Sequence, residues 1–390
     1  MALISVHMLQ NHAPSNLNRD ENGDPKDAMF GSVRRARISS QAIKRAIRQS
    51  DTFKDYFTGL DVLAVRSKLR THIDEYLKKS GKKDALSEDQ YKRLLEEAAK
   101  IGNAGKAEKI DAAQGETSPK GQLMFLTSRE IATVTDKLIE WVQNPVSTGI
   151  ETAPDTAEKG KKGKKDAKTE AAGPNLGTYT PHSVDIAMFG RMTTSSPFMD
   201  VEASVQVAHA ISTHRVEQDF DFFTAVDDLK TEAGAGLLGE TAFNSATYYK
   251  YINIHWDSLL KNLGDDSALA LATVKALIHA AIVSNPSGKQ NTFAAHNPPD
   301  WVLIEIRESN IPLSYANAFV KPVRPINQLS LIEASASAIE DYILRTDRTY
   351  DVLPKPERLL MRNLQMESVL GLADVSMSSL LSHFDTLMLQ

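Results

Sequence analysis

Between Phe30 and Ser50 the chain carries Arg34, Arg35, Arg37, Lys44, Arg45 and Arg48 with no acidic residue among them, in a protein whose formal net charge is -5. The local excess matters more than the global sign, because exposed charges are largely screened from one another beyond ~10 Å at ordinary ionic strength. Ser39 and Ser40 are N-cap residue types and predict a helix over Gln41 to Gln49, with Ala42, Ile43, Ala46 and Ile47 inward. Gln41, Lys44 and Arg48 recur at helical spacing on its other side, while Arg35 and Arg37 flank Ala36 and share one face of an extended lead-in. Basic side chains beside the free N–H groups of a helix N-terminus suit phosphates. A solvated basic face on an ordinary helix is the competing reading.

A second constellation is aromatic. From Val216 to Asp228, Val216, Phe220, Phe222 and Val226 occupy even positions, and Glu217, Asp219, Asp221 and Asp227 odd ones, the alternation of a half-buried strand. Phe223 breaks it by standing on the polar face, where it either offers a ring for stacking or lies under a neighbouring helix. Gly234, Gly236 and Gly239 supply turn geometry, so 216–246 reads as a projecting hairpin. Other chemistry is thin. Pro286, Ser287, Gly288, Lys289 and Gln290 lack the leading Gly and the Ser or Thr of a phosphate loop. The histidines form no HExxH, and His182 with Asp185, or His209 with His214, are explained better by packing or hydrogen bonding than by metal ligation. No metal, cofactor or catalytic centre is expected.

The elements that must position these residues follow from the rest of the chain. With 390 residues, 42% hydrophobic and 24% charged, and no cysteine, the composition is that of a soluble globular protein of two or three structural units. It excludes disulfides and thiolate chemistry and suits a reducing cytoplasm. Leu3 to Met8 alternates as a first strand without a secretion signal, and no transmembrane segment is visible, so no membrane partner is expected. A polar loop, Pro14 to Asp20, leads to the basic strand and helix. Residues 52–145 read as helical, with Val62, Leu69, Ile73 and Leu77 on one face and capping boxes at Ser87/Gln90 and Thr127/Glu130. Residues 151–177, with Lys161, Lys162, Lys164 and Lys165, read as a disordered loop. Tyr248 to Trp256 reads as a central strand with Ile252 and Ile254 in the core and Tyr249, Tyr251 and Asn253 opposite. A helix at 267–283, a loop from Asn285 to Pro299 and a strand from Trp301 to Ile306 complete a small α+β sheet with long insertions.

Pro14 to Asp20, Lys26 with Asp27, Phe30 with Gly31, Arg34 to Gln41, and Lys44 with Arg45 resemble the N-terminus of the CasC family, the backbone subunit of the type I-E CRISPR complex Cascade. Asp185 to Met192 resembles a family stretch ending in Gly-Arg-Met, and His209 to Leu229 resembles the family's thumb. Gly239 to Asn253, Lys289 to Pro298 and Ile311 to Phe319 continue the resemblance, which lapses over 52–177 and towards the C-terminus. The family often has Gly-Gly where this chain has Gly31 and Ser32, and the Lys-rich insert at 159–168 has no clear counterpart.

The resemblance implies a hand-shaped α+β protein. Its RRM-like (ferredoxin-like) palm would comprise 1–51, 185–213 and 248–390, its helical fingers 52–184, and its β-hairpin thumb 214–247. It implies a non-catalytic subunit that stacks in copies along a CRISPR guide RNA, flips bases with its thumb and presents the guide to target DNA, with other Cascade subunits as partners. Phe223 and Thr224 stand at the wedge position, Met192 at the matching palm-side position, and Lys26, Gln41, Lys44 and Arg48 where the family grips the guide. With the basic patch and the matching loops, the candidate RNA-binding set is Asn18, Arg19, Lys26, Arg35, Arg37, Gln41, Lys44, Arg45, Arg48, Met192, Phe223, Thr224, Lys289 and Gln290. Fold alone does not fix function. The rivals are an RNA-processing endoribonuclease using His182, His209 or His214, a target-cleaving backbone subunit like those of type III systems, and a non-specific single-strand-binding protein.

Overall fold

The structure is a computed structural model that describes residues 3–102, 122–144, 176–178, 182–195, 197–226, 235–325 and 329–387. The chain divides into two compact units, Met1–Leu60 with Ala187–Phe189 and Ala203–Gln390, and Asp61–Ile186 with Gly190–Glu202. Both helices and antiparallel strands are present, as an α+β protein requires.

The first unit is built on one antiparallel sheet. Its strands are β1 (Leu3–Ser15), β2 (Asp27–Phe30), β3 (Val33–Ile38), β6 (Val205–Val207), β7 (Ala210–Ser212), β8 (Asp219–Val226), β9 (Ala235–His255), β10 (Trp301–Arg307) and β11 (Glu357–Arg362), while β4 (Ala64–Ser67) and β5 (Met124–Thr127) belong to the second unit. They run in the order β11-β10-β1-β9-β7-β3-β2, with β6 and β8 also paired to β9. Every residue of β1 from Leu3 to Gln10 is buried, because the strand lies between β9 and β10 in a sheet covered on both faces. One face carries Leu9, Tyr249, Tyr251, Trp301 and Leu303 against Ala336, Ile339 and Ile343 of a long helix, Leu331–Thr349. The alternating residues Ile4, Val6, Met8, Ile252 and Ile254 are buried as well. Tyr249 and Tyr251, expected opposite the core, therefore belong to a second core layer.

The expected helix begins one residue early as α1 (Ser40–Gln49). The Ser39 hydroxyl accepts the Ala42 N–H, and Ile43 and Ile47 are buried. The remaining helices of this unit are α2 (Asp51–Asp55), α7 (Trp256–Asn262), α8 (Ser267–Val283), α9 (Gln290–Phe293), α10 (Leu331–Thr349) and α11 (Met377–Leu387), with a 3-10 turn at Ala316–Phe319. The predicted helix at 267–283 is α8, capped by Asp266, whose carboxylate accepts the Leu269 N–H. It is apolar on all sides because α1, α2, α7 and α11 pack around it.

The second unit contains α3 (Leu69–Lys79), a 3-10 turn at Lys82–Ala85, α4 (Glu88–Gly102), α5 (Ser128–Gln143) and the start of α6 (Val184–Phe189). Its two strands, β4 and β5, pair antiparallel where only helices were expected. Four-residue strands are too short for period-two alternation to register against flanking helices. Both capping boxes form: Thr127 and Glu130 exchange hydrogen bonds, as do Ser87 and Gln90. Leu69, Ile73 and Leu77 pack with Leu94, Leu126, Val134 and Leu138. Leu176, assigned from sequence to a disordered loop, is buried in that core, and the Lys-rich stretch before it lies outside the described residues. No helix among the described residues is long and apolar enough to cross a membrane.

Candidate nucleic-acid interface

The basic segment folds as a tight hairpin running into a helix. β2 and β3 pair from Asp27↔Ala36 to Phe30↔Val33. The two residues between them, Gly31 and Ser32, have φ of 60° and 64°, the left-handed pair that a two-residue hairpin of type I′ demands. Gly31 has no alternative, since a Cβ there would stand 1.8 Å from the Val320 carbonyl oxygen.

The two arginines on the shared face of β3 have different fates. Arg37 is half-buried. Its Nε donates to the Asp27 carbonyl at 3.0 Å, and its Nη1 lies 3.3 Å from His209 Nδ1. Arg35 is fully buried. Its guanidinium donates to the carbonyls of Phe30, Ser212, Phe319 and Val320. Those donors are spent inside the fold, so Arg35 leaves the candidate binding set. On the opposite face, exposed Arg34 pairs with Asp27 at 2.6 Å.

Along α1, Gln41 and Arg45 are exposed and Lys44 and Arg48 half-buried. Lys44 Nζ sits over the Phe189 ring at 5.5 Å, and burial lowers its pKa. No acidic residue occupies the first turn, so the positive helix end is unopposed from within the helix. Lys26 reaches the same corner through its backbone: its N–H donates to Asn18 O, and its carbonyl accepts from Arg37 N–H.

Two loops converge beside this corner. Gly288 lies so close to Leu17 that a Cβ on it would stand 2.4 Å from the Leu17 carbonyl oxygen. This contact brings Lys289 and Gln290 to Asn18 and Arg19. A shallow groove of about 580 Å³ runs there, lined by Leu17 to Gly23 and Gly288. Arg19 is exposed and Lys289 half-buried. The Asn18 amide oxygen accepts the Ser39 N–H at 2.8 Å, and Gln290 Nε2 donates to the Pro286 and Ala295 carbonyls. Both side chains hold loops in place.

The predicted hairpin forms from β8 and the first part of β9, paired from Asp219↔Phe243 to Val226↔Ala235. β9 then continues without a break into the central sheet, pairing with β1 from Asn244 to His255. Hairpin and central strand, read separately from sequence, are one element. Phe220, Phe222 and Phe223 are 59, 63 and 43% exposed. The alternation implied a buried face for Phe220 and Phe222, but among the described residues no layer lies beneath this two-stranded arm to provide one. Thr224 is exposed beside them. The arm's root is tied to the basic strand by the Val216 N–H bond to Arg34 O at 3.0 Å.

Met192 belongs to the second unit, where it is 85% exposed and its carbonyl accepts from Gln122 Nε2. Nearby, Arg191 pairs with Glu130 at 2.8 Å, both buried. Of the histidines considered as catalytic groups, His214 bridges the Arg215 carbonyl and the Thr247 N–H at the arm's root. His182 is exposed in the second unit. Among the described residues no three His, Asp or Glu side chains are grouped to share a metal ion. The residue that sequence reasoning leaves out of the basic corner is His209, because its partner Arg37 is brought to it only by the β3–β7 pairing.

The model of the CT1975-like protein family matches residues 4–383 of this chain. The chain belongs to that family. A solved chain described as "CRISPR RNA-guided surveillance complex, pre-nicking" is similar along its whole length: 26% identity, TM-score 0.76, with 98% of this chain and 99% of that one covered. A second, described as "CRISPR RNA-guided surveillance complex", shares the fold at 21% identity and TM-score 0.54 over the same shares of the two chains. No curated protein matched this member of the family.

Proposed function

We propose that this chain is a non-catalytic backbone subunit of a CRISPR RNA-guided surveillance complex of the type I-E, CasC-like kind, acting in the cytoplasm. The end-to-end likeness to a chain of such a complex at 26% identity carries the reading. The exposed basic corner and aromatic arm support it. In this reading β1, α1, β7, β9, α8 and β10 form a ferredoxin-like palm, and Lys26, Arg37, Gln41, Lys44, Arg45 and Arg48 hold the backbone of a guide RNA. Arg19 and Lys289 extend that track. Such contacts position a strand without reading its sequence.

The arm supplies what a backbone track lacks. Phe223 with Thr224 enters the base stack of RNA held by a neighbouring copy, with Met192 the opposing contact, and an aromatic wedge of this kind has no base preference. Sequence discrimination passes to base pairing between guide and target DNA. Copies of the chain follow one another head-to-tail, since contacts between different patches on identical subunits generate a helical filament where the rotation does not close. Acidic Glu217, Asp219 and Asp221 on the arm favour a neighbour's basic surface over free RNA.

Native mass spectrometry of the full chain with an intact, unstructured, guide-length RNA tests this. Mass rising in whole-subunit steps on uncut RNA is expected, and Phe223→Ala should shorten the series. Cleaved RNA in the presence of magnesium would return the nuclease reading, and a single bound copy would sink the filament.

A further inference from the structure

His209 lies between β6 and β7, exposed, with Nδ1 3.3 Å from Arg37 Nη1. Arg37 has hydrogens to give and none to take, so Nδ1 acts as the acceptor and the ring proton sits on Nε2. Among the described residues Nε2 has no partner, and the ring is open to solvent. Burial first, then the charges of Arg37 of β3 and Lys26 ahead of β2, hold its pKa below the ordinary histidine value. The next carboxylate along, Asp27, is engaged by Arg34. Two groups able to donate to one anion, Arg37 and His209, therefore meet at this point, and Lys26, whose carbonyl accepts the Arg37 N–H at 2.9 Å, stands beside them in the chain pairing.

We propose that His209 is a phosphate-binding residue that, with Arg37 and Lys26, clamps one backbone phosphate of the bound RNA. The inference rests on the RNA-binding reading above and goes beyond it in naming a ligand and its linkage to protons. A phosphate beside the ring reverses the local field, so the imidazole takes a proton from solvent on binding. Once Nδ1 carries that proton it no longer accepts from Arg37, whose Nη1 turns to the phosphate as well. Binding that takes up a proton tightens as pH falls, by up to tenfold per unit between the free and bound pKa values.

The test is filter binding of an unstructured, guide-length RNA at constant ionic strength from about pH 8 to about pH 5.5. The wild type, His209→Gln and His209→Lys are compared, each checked for unchanged thermal unfolding. Wild-type affinity should rise on the order of tenfold across the range. His209→Gln should bind with a much flatter profile, and His209→Lys, charged throughout, should hold the tight value at both ends. Parallel profiles for all three proteins, or a flat wild-type profile with binding intact, overturn the proposal while leaving RNA binding in place. Failure of the wild type to bind at any pH overturns the RNA reading itself.

Discussion

The Phe223 ring lies directly across the β8–β9 ladder from Gly239, its register partner, and occupies the volume that a side chain there would need. A Cβ on Gly239 would stand 2.3 Å from Cζ and 2.8 and 2.9 Å from the two Cε atoms. Strand glycines commonly mark the close approach of another group, and here that group is the arm's own aromatic. Gly239 thus seats the ring that the proposed function uses as a wedge.

Gly239→Ala should therefore shift the ring while sparing the fold, because the atoms in conflict are the free end of an exposed side chain. The expected result is an unchanged unfolding temperature with weaker RNA assembly. Phe223→Ala should lose ~1 to 3 kcal/mol per stacked site, and the glycine variant a part of that. Equilibrium RNA titration of both variants measures the ratio; wild-type affinity in Gly239→Ala would show that ring placement is immaterial.

Arg35 and Arg37, two residues apart on β3, should separate stability from binding. Arg35→Gln leaves four carbonyl acceptors short of a charged donor in the interior and should cost on the order of 3 kcal/mol. Lysine is no substitute, since a single ammonium cannot span acceptors that a planar fork reaches. Arg37→Gln and Lys44→Gln should leave urea unfolding nearly unchanged and weaken RNA binding. If each subunit neutralises three or four phosphates, the log-log salt slope is about -2 to -3, and each variant should flatten it by ~0.7. A full wild-type slope in Arg37→Gln would remove that residue from the interface.

Ser32 holds φ of 64° in a turn that glycine adopts without steric cost. Ser32→Gly should stabilise the β2–β3 hairpin by about 0.5 kcal/mol, the lost strain being partly offset by a more flexible unfolded chain. A β-branched residue there should do the reverse. Thermal unfolding of Ser32→Gly and Ser32→Val ranks them, and the opposite ranking would contradict the left-handed turn.

Local signals make part of this architecture legible in the sequence alone. Ser39 and the cationic spacing place α1, and an apolar run places α8, because a helix is written in contiguous residues. The breach at Phe223 marks an exposed ring. What local signals miss is set by distant pairing. Nothing in residues 33–38 says that carbonyls from 212, 319 and 320 converge on Arg35, or that His209 arrives beside Arg37. Alternation reads Phe220 and Phe222 as a buried face because period two records only that one face is apolar. Whether a layer covers that face depends on strand number. The same dependence on context hides β4 and β5, each meaningless without the other.

Acid should destabilise the first unit through a buried polar layer around β1. His12 is fully enclosed; burial first, then the charge of Lys250, push it down to about 3, against a smaller opposing pull from the Ala295 backbone. The unfolded chain thus takes a proton at His12 near pH 6.5 that the folded chain refuses until about pH 3. Stability falls as pH drops through that window, by up to about 1.4 kcal/mol per unit. Lys250, lowered to about 8 by burial, carries its penalty throughout that window and sheds it only as pH rises from about 8 towards 10.5. At the acid end Glu305 acts in the same sense as His12. Burial alone would push its carboxyl up, but the Arg358 and Arg307 guanidiniums, which donate to it at 2.8 and 2.9 Å, outweigh that and hold the group well below the ordinary carboxylate range. Its contribution is present above the unfolded carboxylate pKa and is lost as pH falls below it. Between about pH 6.5 and pH 5 the histidines therefore dominate, and His12→Phe, which keeps a ring against Tyr248, should make the decline of urea-unfolding free energy shallower by about 2 kcal/mol over that interval. His7, His214 and His279, in the same unit and lowered chiefly by burial, keep the remaining slope from vanishing. Identical declines in the two proteins would mean that His12 is solvated or already paired in the folded state.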